Sequence, residues 1–319
     1  MTKPNLLRKG DTIGIFSPSG SVSYNSARLD LYERGLRALI ENGYKVEEGK
    51  FARNRFYHMA ASAQEKAADI NSLFQDSTVA ALLPSIGGHT ASQILSFINL
   101  DIIQANPKIF IGFSDSALLA AYITEKTGLI TFHSAADITF NISRFGSSDC
   151  PMQDHGNYTS YNLWQMLEKG SCYNTPYSDW ICLQPGDCKG TLIGGNLKGI
   201  MSLLGTPFEP NWKGKILYWE AADPPHVMAQ VLAHLRNARV FEKISGMIVG
   251  KIAHLKETFY GQDEIMPIHN FIPYILDNPR LPVIVEADFG HDVENITIPN
   301  GSSADLTSDK NGCYLHINY

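Results

Sequence analysis

The chain has 319 residues, 44% of them apolar and 18% charged, the composition of a globular protein with a sizeable core and a length that suggests roughly two domains. Its 26 basic and 32 acidic residues leave a net charge of -6 with no basic run, which excludes a nucleic-acid partner, since phosphate binding needs a concentrated basic face. Met1–Asn5 lacks an apolar leader core and no stretch approaches membrane-spanning length, so the predicted location is cytoplasmic, with no membrane partner.

The first half alternates strand and helix. Asp11–Ser17 is an apolar run closed by Pro18-Ser19-Gly20, and Ser26–Glu41 carries a helical stripe of Leu29, Tyr32, Leu36, Leu39 and Ile40. A short strand at Tyr44–Glu47 and a helix over Ser62–Phe74 follow, then a buried strand at Val79–Pro84 and a glycine turn, Gly87-Gly88, leading into a third helix. Lys108–Gly112 is apolar, Ser114-Asp115-Ser116 has helix-capping chemistry, and Ala117–Ile123 has helical spacing. This order predicts an α/β fold whose N-terminal domain is a doubly wound parallel sheet. Sites in such sheets form at the carboxyl ends of strands, where Ser17, Gly87, Gly88 and Ser114 fall.

Phe145–Lys189 breaks the rhythm with Gly, Ser, Asp, Asn and Pro, around one helical piece at Tyr161–Leu167. The predicted organisation is an N-terminal domain over 1–150, a connection over 151–189, and a smaller C-terminal α/β domain over 190–319. In the latter, Gly190–Thr206 reads as strand, glycine turn and helix, Lys215–Glu220 as a strand ending in an acid, and Pro225–Arg239 as a helix. Ser245–Ile252 and Pro282–Asp288 read as strands, the second followed by Phe289-Gly290-His291. The cysteines (Cys150, Cys172, Cys182, Cys188, Cys313) are odd in number and form no CxxC pair, as expected of reduced thiols without structural zinc. No histidine pair has metal-ligand spacing, and His226, His234 and His254 read as surface or core residues.

Ser114, Glu220 and His291 each have a plain explanation: a helix cap, a strand-end charge and a loop histidine. Acyl transfer needs those same three groups. A serine hydroxyl is a weak nucleophile until a base takes its proton, imidazole does so near neutral pH, and a buried acid orients the imidazole. The order Ser, acid, His is that of the α/β-hydrolases, but Ser116 stands where the hydrolase elbow has glycine, and Glu286 and Asp288 compete as the acid. Gly87-Gly88 is either a tight turn or an anion-binding one.

Taken in order, Gly10–Gly20, Ile86-Gly87-Gly88, Gly112-Phe113-Ser114-Asp115, Gly194–Leu197, Leu203–Pro207, Lys215–Glu220 and Phe289-Gly290-His291 resemble the LD-carboxypeptidase family of serine peptidases, which includes the microcin C immunity hydrolases. The resemblance runs from about residue 6 to 306. It implies Ser114 as nucleophile, Glu220 as orienting acid, His291 as general base, an oxyanion hole of the Gly88 and Asp115 amides, no metal or cofactor, and a homodimer. The carboxypeptidase branch carries Arg directly before the Gly-Gly turn, where it could pair with a peptide carboxylate. Here that residue is Ile86, as in the immunity branch, whose members cleave an amide joining an aminoacyl group to a modified nucleotide. The resemblance therefore points to an aminoacyl-nucleotide or small peptide conjugate as substrate, contacted by Ile86, Gly87 and Trp180, with terminal D-Ala of a murein tetrapeptide as the alternative. A non-catalytic binding protein on the same fold is a third reading. Trp164 and Trp180 could offer an aromatic face to a nucleobase, though core packing is the simpler role for each.

Overall fold

The computed structural model describes residues 1–135, 155–171, 176–252, 268–276, 278–291 and 293–319. Cys150, Cys172 and His254 lie outside these; Cys182, Cys188 and Cys313 are free thiols. The strands are β1 (Thr12–Phe16), β2 (Lys45–Glu48), β3 (Val79–Pro84), β4 (Ile109–Gly112), β5 (Thr131–His133), β6 (Ile181–Gln184), β7 (Gly186–Asn196), β8 (Lys215–Glu220), β9 (Gly246–Gly250), β10 (Val283–Ala287), β11 (Ile298–Asn300), β12 (Ser303–Asp309) and β13 (Gly312–Asn318). The helices are α1 (Ser26–Glu41), α2 (Ala63–Gln75), α3 (Leu100–Ala105), α4 (Ala117–Thr127), α5 (His155–Lys169), α6 (Leu197–Met201), α7 (Pro225–Asn237) and α8 (Ile268–Ile275).

The chain divides into two compact units, Met1–Tyr173 with Asn295–Gly301, and Asn174–Glu294 with Ser302–Tyr319. Of the stretch read from sequence as a connection, 155–169 forms α5 in the first unit and 181–184 forms β6 in the second.

The first unit holds a six-stranded sheet in the order β11-β5-β4-β3-β1-β2. Its strands run parallel except β11, which pairs antiparallel with β5. β3, β4 and β5 are almost continuously buried, as strands covered on both faces must be. Strand order reverses between β1 and β3, which opens a crevice at their carboxyl ends. The loops after β1, β3 and β4 meet there: the Gly20 amide donates to the Gly87 carbonyl at 3.0 Å, and the Ser17 and Ser85 hydroxyls lie 2.5 Å apart. Phe110 of β4 stacks between Phe16 and Phe74, at centroid distances of 5.2 and 5.9 Å. Ala117–Thr124 of α4 is wholly buried, so this helix packs as a core element behind β4.

The segment after Gly87-Gly88 departs from expectation. Ala91–Phe97 is a 3-10 helix, and α3 begins only after Asn99 caps it. The cap residue Thr90 offers no side-chain bond to this helix, and the first amides, of Thr90 and Ala91, are spent on the Asp115 carboxylate.

The second unit is a seven-stranded mixed sheet, β13-β12-β7-β8-β9-β10-β6. Its centre, β7 to β10, is parallel, while β12, β13 and β6 pair antiparallel. The β12–β13 hairpin alternates buried and exposed positions around Asp309–Gly312, whose Asn311-Gly312 pair is a hairpin signal. Among the described residues no helix is long and apolar enough to cross a membrane.

Candidate active site

Ser114 follows β4 directly, and its φ is +52°. A non-glycine residue in the left-handed region costs on the order of 1–3 kcal/mol and persists where the surroundings hold it. Here Phe113 and Ser116 hold it: the Phe113 amide donates to Ser116 Oγ at 3.0 Å, and that hydroxyl returns to the Phe113 carbonyl at 2.7 Å. The strand ends extended and the chain reverses in one residue, which lifts the Ser114 side chain off the sheet edge as on a nucleophile elbow.

The Gly87-Gly88 turn lies against this elbow. A β-carbon at Gly87 would stand 2.8 Å from Ser114 Oγ and 2.9 Å from its Cβ, and Gly88 has φ +150°. Both positions therefore require glycine, one for approach and one for conformation. Gly87→Ala should push the serine out of place and lower turnover at least about 100-fold, the scale of an ångström misplacement. Steady-state rates beside circular dichroism check this; a native-like variant with the wild-type rate would refute it.

In the second unit, Glu220 ends β8 fully buried, and its Oε2 lies 2.6 Å from His291 Nδ1. The other carboxylate oxygen accepts from Asn196 Nδ2 at 3.1 Å. Asn196 ends β7 directly opposite Glu220 in the parallel register, and its own Oδ1 accepts from the Gly199 amide at 3.3 Å. The sequence reading gives Asn196 no role; its signal is an amide at the end of the strand that precedes the acid's strand. With Glu220 ionised, and therefore only an acceptor, a neutral imidazole would carry its proton on Nδ1 and have Nε2 as its basic nitrogen. Gly290, which precedes His291, has φ +147° and no room for a β-carbon against the Lys251 carbonyl, so only glycine fits there.

The competing acids are placed differently. Asp288, also fully buried, accepts from the Tyr177 amide at 2.7 Å, the Ser178 amide at 3.2 Å and hydroxyl at 2.6 Å, Trp180 Nε1 at 2.9 Å and Lys251 Nζ at 2.9 Å. Glu286 is part of the β10 irregularity, with φ +60°. The tryptophans part company as well. Trp164 is buried and stacks on Tyr44 at 5.1 Å, a core residue of the first unit. Trp180 is half-buried, its ring oriented by the bond to Asp288. Ile86 is buried, so an apolar side chain precedes the Gly-Gly turn.

Profiles of the LD-carboxypeptidase N-terminal and C-terminal domains match residues 13–134 and 189–306. The chain is 30% identical to a probable murein peptide carboxypeptidase of Bacillus subtilis, over 96% of this chain and 92% of that one. The chain belongs to the LD-carboxypeptidase family. This family member is also 28% identical to the microcin C7 self-immunity protein MccF of Escherichia coli, over 98% of this chain and 95% of that one. A solved structure of MccF superposes with a TM-score of 0.85 at 26% identity, covering 99% of this chain and 98% of that one. Other MccF structures hold glutamyl sulfamoyl guanosine or aspartyl sulfamoyl adenosine. The mixed α/β sheets in N- and C-terminal domains are thus the family's fold, and the protein is a serine peptidase of this family.

Proposed function

We propose that this family member hydrolyses an amide through an acyl-enzyme on Ser114, and that its preferred substrate is an aminoacyl-nucleotide or a related small peptide conjugate. The observation that carries the chemistry is the left-handed Ser114 elbow packed against Gly87. The buried Glu220–His291 pair supports the rest. In this reading His291 Nε2 takes the Ser114 proton as Oγ bonds to the substrate carbonyl carbon. The carbonyl electrons move onto oxygen, where the Gly88 and Asp115 amides receive the charge. Collapse breaks the C–N bond and the imidazolium returns its proton to the leaving nitrogen. Water, activated by the same base, then releases the acid and restores Ser114.

Two features support the substrate. Ile86 puts a buried hydrocarbon where a guanidinium would grip a peptide carboxylate. Trp180 is a half-buried ring whose N–H is engaged by Asp288, so stacking is the interaction it would bring to a nucleobase. The second reading, release of D-Ala from a murein tetrapeptide, is favoured by the likeness to the Bacillus subtilis protein.

The test gives wild type and Ser114→Ala a murein tetrapeptide and aspartyl sulfamoyl adenosine, and reads products by mass spectrometry. Free aspartate and sulfamoyl adenosine from wild type alone is the expected outcome. D-Ala release alone would overturn the substrate and make the protein an LD-carboxypeptidase. A fluorophosphonate that leaves wild-type Ser114 unlabelled would overturn the chemistry in favour of a binding protein, because an unactivated serine does not react.

A further inference from the structure

Lys66, on α2, is a lysine with almost no exposure. Burial is the main cause that pulls its pKa down to about 8, and the Asp115 charge opposes that fall. Its ammonium donates to Thr90 Oγ1 at 2.9 Å and reaches the Thr90 carbonyl at 3.4 Å. Thr90 Oγ1 lies 3.2 Å from Ser19 Oγ, which donates to Asp115 Oδ2 at 2.6 Å. Each hydroxyl has one proton. Ser19 gives its proton to the carboxylate, so toward Thr90 it accepts; Thr90 gives its proton to Ser19, so toward Lys66 it accepts. The chain has a single polarity from cation to anion, an ion pair relayed through two hydroxyls, in which each bond polarises the next.

The carboxylate end of the relay does a second thing. Asp115 Oδ2 also accepts from the Thr90 amide at 2.7 Å and the Ala91 amide at 2.9 Å. One oxygen therefore ties the residue after Ser114 to the loop two residues beyond Gly88. The Ser19 side chain backs the same loop, and a β-carbon at Gly88 would stand 2.4 Å from its Oγ. Two amides on separate loops can serve one oxyanion only if their spacing is held, and neither loop sets that spacing alone.

We infer that Asp115, held through Ser19 and Thr90 against Lys66, is a positioning residue that spaces the Gly88 and Asp115 amides for the oxyanion. The inference rests on the reading of Ser114 as nucleophile. Asp115→Asn keeps the shape and removes the charge. Thr90→Val removes the relay hydroxyl but keeps the backbone bonds to Asp115, and Thr90→Ser restores the hydroxyl.

The experiment measures kcat and KM of the full chain on whichever of the two amides wild type cleaves, with the rate of fluorophosphonate labelling at Ser114. Asp115→Asn is expected to lower kcat and labelling together on the order of 30-fold, less than deletion of an oxyanion donor costs, with KM nearly unchanged. Thr90→Val should fall about 10-fold, with Thr90→Ser within about threefold of wild type, because the relay rather than side-chain bulk is what was lost. Folded variants with wild-type kcat, a loss confined to KM, or failure of Thr90→Ser to rescue would overturn the inference. Should Asp115→Asn fail to fold, the two Thr90 variants decide. If wild type itself neither labels nor turns over, the reading of Ser114 falls first; labelled wild type with unaffected variants would sink the positioning role alone.

Discussion

Ser114→Ala is expected to abolish amide hydrolysis, by at least about 10⁴-fold, while leaving the fold intact, because no other group in the proposed scheme can form the acyl-enzyme. Mass spectrometry of products, with circular dichroism of both proteins, reads this directly. Residual turnover near wild type would remove Ser114 from the reaction. The elbow makes a second, separable expectation. Its φ of +52° is a cost that alanine retains and glycine does not. Ser114→Gly should therefore unfold at a higher temperature than Ser114→Ala, although both are inactive. A glycine variant that melts below the alanine one would show that the elbow stores no strain.

Glu220→Gln should lower kcat by about 10³–10⁴-fold, with little change in KM or unfolding midpoint. The reason is the Asn196 amide. Because Asn196 Oδ1 is engaged by the Gly199 amide, its Nδ2 faces Glu220 Oε1 at 3.1 Å as a donor. A glutamine at 220 must turn its oxygen toward that donor, which aims its NH₂ at His291 Nδ1. The histidine can then only accept there, its proton moves to Nε2, and the base is lost. Adding Asn196→Ala frees the glutamine to flip, so the double variant should be faster than Glu220→Gln alone. Steady-state rates of the three proteins check both statements. A wild-type rate in Glu220→Gln would move the acid role to Glu286 or Asp288, although Asp288 already accepts from Tyr177, Ser178, Trp180 and Lys251.

Much of this protein is decided over a few neighbouring residues, and that part is legible in the sequence. Apolar runs closed by glycine or serine marked β1, β3, β4 and β9, and one closed by an acid marked β8, each within a residue or two, since a strand buried on both faces needs an unbroken apolar stretch. The turn residues Ser114 and Gly87-Gly88 stood out because backbone reversal leaves few choices of side chain. The same local logic was available for the β12–β13 hairpin in Asn311-Gly312 and its flanking alternation.

What only the tertiary structure decided is pairing across long stretches of chain. Glu220 and His291 are 71 residues apart, and nothing near either distinguishes Glu220 from Glu286 or Asp288. The parallel register of β7 and β8 brings Asn196 to one side of the acid, and the turn after β10 brings the imidazole to the other. Trp164 and Trp180 sit in the same polar stretch, yet one stacks in a core on Tyr44 and the other hangs from Asp288. Lys66 reads as one more polar residue of an amphipathic helix, and only the packing of α2 against the Thr90 loop makes it a buried cation relayed to Asp115. Local propensity acts through backbone and nearest neighbours. Charge, burial and hydrogen-bond direction at a site are set by residues that meet only once the sheets have formed.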